Sequence, residues 1–273
     1  MRPNAPSDPT KTFLSHRGRR LAYTLEGPPG PTVLAVPGLP GRIRDFRWLA
    51  PALSGAFAVA RVELPGFGAS EREGYSPMGI DDRAAPVHAV LTHLLERGHR
   101  PVHLLGHSAG ATTVAHLAST GLPFGGRAAL VSPTGLRPHY PAGMLRALAP
   151  VFRRRAGRAA LAPILRRLYA AQGFPRYLND DERVFTTLDA AATNFALHRA
   201  NLAALRVPTL IAWAADDRLI SDEMFSTVAA VATPGPRLRF DEGGHNIQKT
   251  KATELAEALA AHFTGRPLSA DPG

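Results

Sequence analysis

The chain has 273 residues, a formal net charge of +10 and no cysteine, a length that suits one α/β domain carrying an insertion. The missing thiol excludes disulfides, zinc–thiolate sites and a cysteine nucleophile. No run approaches the roughly 18 apolar residues of a membrane span, and residues 1–11 are polar and proline-rich without the apolar centre of a secretory signal, so a cytoplasmic location is expected.

In chain order, strands are expected at residues 12–16 and 20–25, joined by a turn at Arg17-Gly18. Residues 32–36, Thr-Val-Leu-Ala-Val, are continuously apolar, as a strand covered on both faces requires. They run into Val36-Pro37-Gly38-Leu39-Pro40-Gly41. A helix is expected over 45–53, then a strand over 57–64 closed by Pro65-Gly66-Phe67-Gly68. A helix over 81–97 carries Val87, Val90, Leu91, Leu94 and Leu95 in one apolar stripe.

Residues 101–105 read as a short buried strand that enters Gly106-His107-Ser108-Ala109-Gly110 directly, and residues 111–119 follow at helical spacing. A serine between two glycines at a strand-to-helix turn has the pattern of a nucleophile elbow. The backbone there is strained, and bulk at either glycine would block the close approach of strand and helix. Ser108 would then sit clear of the sheet at the positive end of a helix.

A strand over 128–131 ends at Ser132-Pro133-Thr134-Gly135, and the periodicity changes. Residues 136–205 show helical patterns and no convincing strand. Prolines 138, 141, 150, 163 and 175 are expected to divide them into short helices, with Asn179 or Asp180 capping a longer one that reaches about Leu205. We read this stretch as a helical cap insertion (136–205) over a core made of residues 1–135 and 206–273. Between Arg97 and Asn179 there is no Asp or Glu, while arginines recur at 153–155, 158, 166 and 167. That asymmetry creates a positive potential over one side of the molecule. A solvated basic face is the ordinary reading of such a run; an anionic substrate or an acidic carrier protein is the functional one. Without a recognised motif or clustered aromatics, specific nucleic-acid binding is not expected.

The sheet resumes at 208–213, followed by a helix over 222–231, a strand over 237–240 and a helix with Leu255, Leu259 and Phe263 on one face. A serine hydroxyl needs a base within hydrogen-bond reach. His245 follows the last strand on a loop freed by Gly243-Gly244, and among the eleven histidines only it combines a post-strand loop with the right chain order. His107 should point away from the serine. An imidazole base needs a carboxylate partner. Asp216 and Asp217 both follow the strand ending at Trp213, and Asp217 is preferred, leaving its neighbour to accept from backbone donors.

With these pieces in place the chain resembles the α/β-hydrolase superfamily, from about Thr12 to Phe263. The matching segments are residues 36–41, Glu63-Leu64-Pro65-Gly66-Phe67-Gly68-Ala69-Ser70, the elbow, residues 213–220 and Gly243-Gly244-His245. The resemblance implies a mostly parallel central sheet flanked by helices. It also implies a Ser108–His245–Asp217 triad, supported by the spacing from Asp217 to Leu219-Ile220, and an oxyanion hole of the Leu39 and Ala109 amides. Pro37 departs from the usual histidine of the family's H-G-x-P loop, and Glu63 stands where Asp is common. Serine at 108 argues against the dehalogenases and epoxide hydrolases of the superfamily, whose nucleophile is aspartate. The expected activity is hydrolysis of an ester-like bond in a mostly hydrophobic small molecule through an acyl-enzyme. The alternatives are a thioesterase or acyltransferase acting on acyl chains carried by coenzyme A or a carrier protein, and a non-catalytic small-molecule-binding protein. No metal or organic cofactor is implied. Met144, Leu148, Phe152, Phe174, Tyr177, Phe185 and Phe195 are expected to divide between packing and lining an apolar pocket above Ser108.

Overall fold

A computed structural model describes residues 8–121, 124–233 and 235–268. Most of the N-terminal segment read above for a signal lies outside the described residues, as does the end of the tail, 269–273. The strands β1 (Thr12–His16), β2 (Arg19–Glu26), β3 (Thr32–Val36), β4 (Ala58–Val62), β5 (Val102–His107), β6 (Gly125–Val131), β7 (Thr209–Ala214) and β8 (Arg237–Phe240) form one sheet in the order β1-β2-β4-β3-β5-β6-β7-β8. The pairs β1–β2 and β2–β4 are antiparallel, and every other pair is parallel.

The continuous apolar strands are explained by cover on both faces. On β3, Leu34 and Val36 belong to one core and Val33 and Ala35 to the other. The first core is closed by α2 (Ile80–Glu96), α3 (Ala109–Ser119) and α8 (Asp222–Val231), through side chains such as Val90, Leu94, Val114, Phe225 and Val228. The second is closed by α1 (Leu49–Leu53) and α10 (Ala252–Thr264), through Leu49, Leu53, Leu255, Leu259 and Phe263. Each fully buried side chain of this size stabilises by about 1.5–3 kcal/mol. The helix expected over 45–53 is divided into a 3₁₀ turn, Ile43–Phe46, and α1. A one-turn helix, α9 (Ile247–Thr250), was not foreseen.

Between β6 and β7 lie α4 (Ala142–Arg153), α5 (Arg155–Ala171), α6 (Asp180–Ala191) and α7 (Phe195–Ala203). Two expectations are corrected here. Pro150 and Pro163 do not end helices but lie within α4 and α5. Pro163 cannot bond the carbonyl of Ala159, but both residues are exposed and water can satisfy that carbonyl. The single long helix from Asn179 to about Leu205 is two, because Asn194 starts a new one by accepting from Leu197 N–H at 3.0 Å. Asn179 caps α6 and forms a reciprocal capping box with Glu182. Phe152, Leu165, Val184 and Leu188 give α4–α6 a small apolar centre of their own, whereas α7 packs on α3 and α8.

Candidate active site

Ser108 joins β5 to α3 at φ 51°, ψ −121°, a conformation that side-chain-bearing residues seldom adopt. The reason lies in its glycine neighbours. A Cβ at Gly106 would stand 2.7 Å from Ala111 Cα, and one at Gly110 would stand 2.2 Å from the Val36 carbonyl oxygen. Only hydrogen fits at either position. The turn is fixed further by Ser108 N–H, which donates to the Val131 carbonyl at 3.0 Å.

His245 reaches the elbow from the loop after β8, where Gly243 and Gly244 take φ 148° and 64°. Its Nε2 lies 2.9 Å from Ser108 Oγ and its Nδ1 lies 2.7 Å from Asp217 Oδ2. The second oxygen of Asp217 accepts from the amides of Leu219 (2.7 Å) and Ile220 (3.1 Å). Asp216 points elsewhere and accepts from Gly244 N–H at 2.7 Å. Burial would raise the carboxyl of Asp217. The hydrogen bond and charge of His245, with the two amides, outweigh burial and hold it below the usual carboxylate range. Burial lowers His245 below the ordinary histidine value, and nearby His107 adds to that, against the opposing pull of Asp217. At neutral pH the imidazole is therefore the free base that a proton acceptor must be.

The loop after β3 touches the elbow. A Cβ at Gly38 would lie 2.9 Å from Ser108 Cβ. Neither Leu39 N–H nor Ala109 N–H has an acceptor among the described residues. For Ala109 this follows from its place in the first turn of α3. Two unused amides beside a serine hydroxyl can take up a developing oxyanion.

His107 turns away from Ser108 and into a network that the sequence did not reveal. Its Nδ1 lies 2.6 Å from Asp45 Oδ2 and its Nε2 lies 3.0 Å from the His245 carbonyl oxygen. Asp45 also accepts from Gly38 N–H (3.3 Å), Gln248 Nε2 (3.2 Å) and Lys249 Nζ (3.0 Å). Burial would raise its carboxyl, but His107 and Lys249 hold it far below the usual range. Asp45 thus ties three loops together: the one after β3, the elbow and the one carrying His245. It does so where Pro37 leaves no side chain to anchor the first of them. The sequence places Asp45 at a helix start, its commonest role, and holds no local signal of its pairing with His107, 62 positions away. His103 and His198 are buried away from the cavity, each held by one backbone hydrogen bond.

Above Ser108 lies a cavity of about 770 Å³. Leu39, Pro40, Phe174, Pro175, Tyr177 and Leu219 supply apolar wall, and Arg42, Arg218 and Lys249 supply charge. Arg42 is paired with Glu182 and Lys249 with Asp45, while Arg218 has no carboxylate partner among the described residues. Of the seven apolar residues expected above Ser108, Phe174 and Tyr177 line the cavity. Phe152 is buried among α4–α6, Phe185 packs on Phe67 and Tyr75, and Met144 is exposed.

Comparison with known proteins adds to this geometry. The sequence signature of the Alpha/beta hydrolase family matches residues 33–258. The dihydrolipoyllysine-residue acetyltransferase component of the acetoin cleaving system of Cupriavidus necator is 26% identical over 270 residues, covering 93% of this chain and 69% of that protein. Among solved structures, the enol-lactonase of Burkholderia xenovorans is similar at TM-score 0.72 and 18% identity, covering 93% of this chain and all of that one (100%). A thermophilic esterase from Thermogutta terrifontis is similar at TM-score 0.67 and 19% identity, covering 92% of this chain and 97% of that one.

Proposed function

This chain belongs to the Alpha/beta hydrolase family, and on that premise we propose that it is a serine hydrolase cleaving an ester-like bond of a mostly hydrophobic small molecule. The observation that carries the proposal is the hydrogen-bonded series from Ser108 Oγ through His245 to Asp217, at 2.9 and 2.7 Å, on the floor of a largely apolar cavity. Ser108 Oγ attacks the substrate carbonyl while His245 Nε2 takes its proton. The carbonyl oxygen becomes an oxyanion held by the amides of Leu39 and Ala109, where losing one donor typically costs about 3 kcal/mol of barrier. The alcohol leaves with the proton from His245, and the acyl group stays on Ser108. Water then attacks the acyl-enzyme, giving its proton to His245, and the acid is released as that proton returns to Ser108. Asp217 holds the imidazole in the required tautomer and stabilises its charged form.

Labelling with a fluorophosphonate, followed by mass spectrometry, tests the nucleophile. The adduct is expected on Ser108. An adduct on another serine, or full resistance alongside measurable esterase activity, would overturn the assignment. A thioester reading has one observation in its favour, the unpaired Arg218 on the cavity wall, a place for an anionic leaving group. Comparing p-nitrophenyl esters of increasing length with coenzyme A thioesters and lactones separates the two readings.

A further inference from the structure

The hairpin formed by α4 and α5 has more apolar surface than its packing uses. Its inner side, with Phe152 and Leu165, closes on Val184 and Leu188 of α6. A second stripe runs along each helix. On α4 it is Met144, Ala147 and Val151, at i, i+3 and i+7; on α5 it is Ala160, Ile164, Leu168 and Ala171, at i, i+4, i+8 and i+11. These residues face water: Met144 is 59% exposed, Ile164 54%, Leu168 51% and Val151 36%. Single exposed apolar residues are ordinary; two stripes of them on adjoining helices mark a contact surface.

The charge carried by the two helices themselves is of one sign. Arg153, Arg154 and Arg155 at the turn of the hairpin, and Arg167 on α5, are exposed and have no carboxylate partner among the described residues. No Asp or Glu occurs between residues 97 and 179, so nothing nearby in the chain neutralises them. Aliphatic side chains and arginines on the exposed side of a helical pair are features of helices lying in a lipid interface. The net charge of +10 favours an anionic surface over a second copy of this equally basic chain. The end of α5 leads into the cavity, whose wall includes Ala171, Gln172, Gly173 and Phe174.

We propose that the outer face of the α4–α5 hairpin docks on an anionic lipid surface, which sets the mouth of the Ser108 cavity at the edge of the bilayer. The arginines meet the headgroups, and Met144, Val151, Ile164 and Leu168 enter the boundary between headgroups and acyl chains. Docking rests on the two helices and not on the hydrolase reading.

The test is sedimentation of the full chain with vesicles of phosphatidylcholine, alone or mixed with phosphatidylglycerol. Partitioning is expected to be strong only on the mixed vesicles and to weaken with added salt. Replacing Arg153, Arg154 and Arg155 by Gln should lower it on the order of a hundredfold, at about fivefold for each charge near an anionic surface. Ile164→Ser with Leu168→Ser should lower it at least about tenfold on the same vesicles. Thermal melting should be unchanged, and either single substitution serves if the pair unfolds. Ser108→Ala should partition like the unaltered chain, so that failure of docking and failure of the catalytic assignment are read separately. Equal partition on both vesicle types, no association, or variants that bind undiminished would overturn the proposal. So would binding of polyglutamate without vesicle association, which would assign the face to an acidic protein, or a dimer lost on Ile164→Ser, which would assign it to a second copy.

Discussion

Asp216 and Asp217 are neighbours in the chain, yet one accepts from the backbone of the loop and the other from the imidazole that the loop carries. Their substitutions should separate accordingly. Asp217→Asn is expected to lower kcat on the order of 10⁴-fold, since it presents the wrong partner to His245 Nδ1. Asp216→Asn keeps an oxygen acceptor for Gly244 and should lose about tenfold or less. Steady-state kinetics on one soluble ester decides between them, and the reverse order would shift the carboxylate assignment by one residue. At this scale the chain was legible where chemistry fixes spacing: a serine between glycines, a histidine after glycines, an acid two residues before an apolar pair. Asp45 was not legible, because its partners His107, Gln248 and Lys249 lie 62 to 204 positions away in the chain and nothing local distinguishes it from an ordinary helix-starting acid.

Among the elements, central strands such as β3 and β7 were readable because burial on both faces leaves an uninterrupted apolar run, whereas β1 and β8 at the sheet edges are partly exposed and mixed in polarity. The helices between β6 and β7 were harder. Pro163 of α5 faces outward, so the carbonyl it leaves without a donor is open to water, and the helix continues through it. Asn194 was missed for the opposite reason, since a cap inside a run of helix-forming residues changes hydrophobic periodicity very little. These helices also decide which side chains meet a substrate. Phe174 and Tyr177, beyond the end of α5, line the cavity while the larger apolar residues of α4 and α6 do not. Phe174→Ala and Tyr177→Ala are therefore expected to alter the preference among esters of different chain length more than they alter hydrolysis of an acetyl ester. Equal losses on every ester would show that these rings support the fold without selecting the substrate.

For the molecule as a whole, two buried histidines should govern acid sensitivity. Burial lowers His103 and His198 to about 4 each, against 6.5 for an ordinary histidine. Between those values the unfolded chain takes up a proton at each ring and the folded chain does not, so stability is complete above pH 6.5 and is lost as pH falls toward 4. The loss is about 3 kcal/mol for each residue, and melting temperatures measured across that window should fall steeply. A melting temperature constant from pH 6.5 to 4 would show that these rings are already charged in the folded chain. Another whole-molecule consequence follows from residues 107 and 108 being consecutive. His107 holds the backbone of His245 and Ser108 meets its side chain, so one dipeptide at the end of β5 sets both anchor points. A drift of that strand end carries both contact points together, as common-mode motion that largely cancels in the separation of Ser108 from His245.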